Sequence, residues 1–175
     1  KQTKSEKHFI GTVLQENVEY FKTQFGDAFD VKYRKYIAQG REMCFIMVDG
    51  MCDSLLATEQ VILPIINADF SSEKGDKLIY SAADKVSASI DKSVTNDLDE
   101  AIREAIYGSI IMLADNSHFA VMFGVQGFPK RAVLEPSTEM QERGSREAFV
   151  ESFKDNVTMI RRRVRNPVFK TQIIE

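Results

Sequence analysis

The groups with which this chain could do chemistry are few and scattered. Its two histidines, His8 and His118, lie far apart in the sequence, and its two cysteines, Cys44 and Cys52, have apolar neighbours and no thiol partner close by. Metal sites need clustered ligands, and no H-E-x-x-H, cysteine cluster or EF-hand spacing occurs. Serines are plentiful, but none sits in the G-x-S-x-G turn that exposes a nucleophile. Gly124 and Gly127 are three apart without forming a dinucleotide-binding loop, and there is no P-loop. Cys52 beside Asp53 at a helix start would gain thiolate character from the helix dipole, but the carboxylate and apolar neighbours oppose it. These residue types point away from catalysis, and the expectation is no enzyme, no cofactor and no metal.

Charge is the more informative feature. A formal net charge of −3 gives no global attraction to nucleic acid or anionic lipid. Locally, however, Arg161, Arg162, Arg163 and Arg165 close a helical pattern whose apolar positions are Phe149, Val150, Phe153, Val157, Ile160 and Val164. Arginines there complement the helix dipole and orphan carbonyls. They can also pair with Glu135, Glu139, Glu147 or Glu151 through the bidentate guanidinium fork. A membrane surface, an anionic ligand and nucleic acid are the other readings. Aromatic residues interleave poorly with these arginines, which disfavours base stacking.

The elements that must position these groups follow from periodicity. Apolar residues from Lys7 to Phe25 recur at helical spacing, and Gly26 ends the run. Val31 to Ala38 and Met43 to Val48 read as strands, with Asp49-Gly50 as the turn after them. Asp53 suits the cap of a helix running to about Asn67, which Pro64 must bend or interrupt. The segment 77–89 fits a helix or short strands equally. Asp97 and Glu100 form an approximate capping box for the next helix, which Gly108 ends. Ser109 to Ala114 and Phe119 to Val125 make a hairpin. Ser145 after Gly144 suits a cap for the last helix, 145–165, and Val168 to Ile174 alternates like a strand. Apolar runs are core-sized, well short of the roughly 20 residues that span a bilayer. The expected architecture is α/β. It has two small subdomains, 1–76 and 96–175, each a mixed sheet flanked by helices, and a linker over 77–95.

Two sets of residues carry a resemblance. One is Glu135-Pro136-Ser137-Thr138-Glu139, Arg143-Gly144-Ser145-Arg146-Glu147, Phe149, Glu151, Asn156 and Ile160-Arg161-Arg162-Arg163. The other is Asp49-Gly50-Met51, Asp53 and Ile62-Leu63-Pro64. Together, in this order, they resemble the A subunit of GerA-type spore germinant receptors. Ser145 stands where the family usually has proline, and either residue suits a helix start. The resemblance implies a soluble N-terminal region of a larger protein whose remaining part spans the inner membrane of dormant spores. It further implies B and C subunits as partners, and oligomers of A subunits. This region would lie on the cytoplasmic (core) side. The implied role is non-enzymatic, coupling nutrient detection to germination. Modularity and charge density add the expectation that the two halves shift as bodies and the arginine-ended helix passes the bias on. Direct, weak binding of a small-molecule germinant is the alternative. Nucleic acid is not an expected partner. Glu135, Glu139, Arg143, Arg146, Glu147, Arg161, Arg162 and Arg163 are carried over as interface or structural ion-pair positions. Asp49, Gly50, Asp53, Gly144 and Ser145 are carried over as turn and cap positions.

Overall fold

The computed structural model of the chain describes residues 7–126 and 152–172. Within them, α1 (Leu14–Phe25) leads into a hairpin of β1 (Val31–Ala38) and β2 (Arg41–Val48). A helical stretch follows, built of α2 (Ser54–Leu56), a π-helical turn (Ala57–Ile62) and α3 (Leu63–Ile66). Then come α4 (Asp76–Lys85), β3 (Asp91–Thr95), α5 (Leu98–Ile106), β4 (Ser109–Ala114), β5 (Ala120–Gly124) and α6 (Phe153–Val164).

The five strands form one antiparallel sheet in the order β1-β2-β4-β5-β3. The α/β class with flanking helices is as the sequence predicts. The sheet count differs from the expected one per half: β2 pairs with β4, from Met43 opposite Ala114 to Ile46 opposite Ile111, so strands of both halves share a single sheet. The physical reason is burial. β2 is apolar and buried over Met43–Val48 and β4 is buried along its whole length, and such strands need neighbours on both edges and cover on both faces. One apolar cluster joins one sheet face to α4 and the α2–α3 stretch. The other joins the opposite face to α1 and α5.

Local chemistry explains most boundaries. The first helix starts at Leu14 rather than near Lys7. The Asn17 side chain ties down both the N–H and the carbonyl of Gly11, and the Leu14 N–H is capped by Asp115 from the β4–β5 turn. Residues 8–10 instead run as a strap against the start of α5, with a bridge between Phe9 and Asp97. Pro64 is absorbed without a break. The Leu63 N–H bonds the Thr58 carbonyl, five residues back, and the helix continues to Ile66 through this wider turn. Asp97 caps α5 through the N–H groups of Asp99 and Glu100. The reciprocal half of the predicted box is absent, because the Thr95 hydroxyl takes the Asp97 N–H and donates to Glu100.

Of segment 77–89, residues 77–85 belong to α4 and residues 86–89 form a turn. The strand after it, β3, escaped the sequence reading because Asp91–Thr95 is a polar sheet edge with little alternation. Helix α6 also begins later than the predicted Ser145. Ser152 is extended (φ −75°, ψ 107°), and its hydroxyl accepts the Asp155 N–H. The strand expected from Val168 is not formed over 168–172; a turn closed by the Phe169 N–H on the Asn166 carbonyl takes its place.

Both cysteines are buried free thiols, and burial pushes each up to about 11. Alkylation at pH 8 is therefore expected to be slow in the native chain and fast after denaturation, because only the thiolate reacts. Fast modification of Cys52 in the folded chain would contradict this placement.

Candidate functional site: a buried ion-pair joint under the last helix

The arginine run is split by the surface of the molecule. Arg161 is fully buried, Arg162 is half-buried and Arg163 is exposed. Three apolar residues of α6, Phe153, Val157 and Val164, were predicted to face the core. Phe153 and Val164 are instead 54% and 48% exposed, and Val157 is only half-buried. The helix buries Thr158, Met159 and Arg161, and Arg165 follows just past its end on the side of Arg161. What draws that side inward is a carboxylate on the sheet.

Asp30, immediately before β1, is 3% exposed and faces Arg161 at 0%. Arg161 Nε donates to Asp30 Oδ2 at 2.5 Å, and Nη2 donates to Asp30 Oδ1 at 2.8 Å. The Thr171 hydroxyl donates to the same Oδ1 at 2.6 Å. The guanidinium carbon also lies 5.2 Å from the centroid of the Phe169 ring, within cation–π range. One side chain thus holds both α6 and the tail that follows it. A fork-on-fork pair in a dry site is strong only while both members are present.

The backbone of Asp30 ties this joint to the β1–β2 hairpin. Its carbonyl accepts the Asp49 N–H at 2.6 Å, where the Asp49–Gly50 turn leaves β2. Gly50 has φ 78°, and a Cβ there would fall 2.0 Å from the Thr158 hydroxyl oxygen on α6. Glycine supplies both the left-handed backbone and the close approach. Past the turn, Asp53 bonds the N–H groups of Leu55 and Leu56 as the α2 cap, and its own N–H bonds the Val125 carbonyl beyond β5. At the far end of α6, Arg165 adopts the left-handed conformation and lies 4.9 Å over the Tyr107 ring. A cavity of about 180 Å³ separates the Asp49–Gly50 turn from the start of α6, with Asp30, Asp49, Lys154 and Asp155 among its lining residues.

Of the residues singled out from sequence, the fold brings Asp49, Gly50 and Arg161 together, and it places Asp53 at a neighbouring cap. Glu135, Glu139, Arg143, Gly144, Ser145, Arg146 and Glu147 lie outside the described residues. Among the described residues the carboxylate partner of Arg161 is Asp30, 131 residues away; the glutamates named from the sequence lie outside those residues. Asp30, Thr158, Phe169 and Thr171 were missed. A lone aspartate before a strand carries no local signal of such a distant partner. The close approach at Gly50 was hinted at only by the Asp-Gly dipeptide.

What this arrangement can do is hold a helix. No group in it is poised as nucleophile or base, and among the described residues no cluster of three or more metal-ligating side chains forms. The class it defines is an α/β module with a docked C-terminal helix. The chain belongs to the family described as Bacillus/Clostridium GerA spore germination protein, whose model matches residues 19–175. That stretch contains both segments from which the resemblance was drawn. Stage V sporulation protein AF of Bacillus subtilis (strain 168) is 28% identical over 166 residues, covering 93% of this chain and 33% of that protein. Spore germination protein KA of the same strain is 28% identical over 171 residues, covering 95% and 31%. The chain therefore spans about a third of the length of the curated relatives it matches. The crystal structure of the N-terminal domain of the A subunit of the Bacillus megaterium spore germinant receptor GerK3 superposes with a TM-score of 0.62. Identity in that superposition is 15%, and coverage is 93% of this chain and 58% of that one. At that identity the likeness is one of fold. No helix among the described residues is long and apolar enough to cross a membrane.

Proposed function

We propose that this chain is part of the N-terminal module of a germinant-receptor A subunit and works by contact rather than catalysis. In this reading it couples nutrient detection to the membrane-embedded part of the receptor, beside B and C subunits in the spore inner membrane. One observation carries the reading: the two segments that bear the family signature, Asp49–Gly50 and the arginine run, meet at Asp30. The family membership and the shared fold support the module's identity. The continuous sheet argues against the two halves shifting as separate bodies, so α6 becomes the element that passes the bias on.

The test belongs in the intact receptor. Arg161→Ala combined with Arg162→Ala is expected to leave a small fraction of the wild-type germination response, or to lower receptor abundance, both scored in the same spores. Wild-type abundance together with a wild-type response would contradict the proposal.

A further inference from the structure

Helix α6 is attached differently from every other long helix of the fold. α1, α4 and α5 each place several side chains in one of the two apolar clusters, whereas among the described residues no side chain of α6 belongs to either. Its buried residues are Thr158, Met159 and Arg161. At its ends Phe153 meets the Phe29 ring and Arg165 lies over Tyr107. Its buried charged hold is the joint at Asp30, and the tail shares that joint, because Arg161 Nη2 and the Thr171 hydroxyl both bond Oδ1. The Thr171 carbonyl in turn accepts the Phe29 N–H at 3.2 Å.

Segments with few buried apolar contacts open at lower free energy than the core they rest on. A segment whose buried hold centres on one charged joint opens more readily when that joint is lost. We infer that α6 and the tail through Thr171 form one latch, which lifts from the sheet as a unit while the sheet stays folded, with the Asp30 carboxylate as its catch. The inference concerns the domain alone, so it stands or fails independently of the receptor role.

Native-state hydrogen exchange on the 175-residue chain, at several denaturant concentrations below the unfolding transition, tests it. Amides 157–164 and the Phe29 amide are expected to exchange together. Their protection should be weaker than that of β2 and β4, with one shared denaturant slope smaller than that of the sheet. Thr171→Val removes one hydrogen bond to a charged group and is expected to speed both sets by roughly tenfold or more. Asp30→Asn is expected to speed them on the order of a hundredfold or more while leaving β2 and β4 unchanged. The inference is overturned if α6 shares the protection and denaturant slope of the sheet. It is equally overturned if Thr171→Val moves the Phe29 amide without α6, or if Asp30→Asn costs the chain its sheet.

Discussion

Arg161→Met is expected to release α6 and to lower the unfolding midpoint by several degrees. The substitution keeps much of the side-chain volume and removes the charge. It leaves the Asp30 carboxylate, 3% exposed, with the Thr171 hydroxyl as its remaining side-chain donor among the described residues. Breaking a buried pair from one side costs about 3–5 kcal/mol, chiefly because the survivor stays desolvated. In a chain of this length each kcal/mol moves the midpoint by roughly 2–4 °C. The full cost appears only up to the docking energy of α6, because the helix can lift off and let water reach Asp30. Trypsin should then cut readily after Arg162 and Arg163. Arg161→Lys is expected to fall between, since an ammonium keeps the charge and loses the fork. A midpoint within a degree of wild type for Arg161→Met, with α6 still resistant to trypsin, would show that the joint does not hold the helix.

The second large effect is expected at Gly50. Gly50→Ala forces a side chain onto a backbone with φ 78° and sets its Cβ 2.0 Å from Thr158 Oγ1. The left-handed conformation and the overpacking together are expected to cost roughly 2–4 kcal/mol. Adding Thr158→Ala removes the hydroxyl and methyl that clash and should recover part of the loss, leaving the backbone strain. Gly108 offers a contrast. With φ 99°, a Cβ there would lie 2.4 Å from the Met51 carbonyl oxygen, so Gly108→Ala meets backbone and no partner substitution can relieve it. Denaturant unfolding of the three variants separates these cases. A change below about 0.5 kcal/mol for Gly50→Ala would mean that α6 does not seat on the turn as described.

Features legible in the sequence were those whose cause is local. Asp49-Gly50, the Asp53 and Asp97 caps, the apolar strands and the β4–β5 hairpin all announce themselves within a few residues. What was not legible depends on partners far along the chain. Leu14 starts a helix because Asp115 reaches it across the fold. β3 is a strand because β5 pairs with it from Thr95 opposite Ala120 to Asp91 opposite Gly124, despite its polar composition. For α6, periodicity pointed to the wrong face, since the apolar stripe is plain in the sequence and the buried aspartate that overrules it is not. The same gap explains the candidate site. The charge density that marks Arg161 in the sequence is shared by Arg162 and Arg163, and the buried partner Asp30 is what sets it apart.

The most direct measurement is a double-mutant cycle across the joint, using Asp30→Leu, Arg161→Met and the pair together. Each single variant strands a buried charge, whereas the double replaces both with apolar groups of similar size and can approach wild-type stability. Charge pairs in close contact give coupling energies of about 1.5–7 kcal/mol, so a value of about 2 kcal/mol or more is predicted here. Additive losses, with coupling near zero, would contradict the claim that Asp30 and Arg161 together hold the last helix to the sheet.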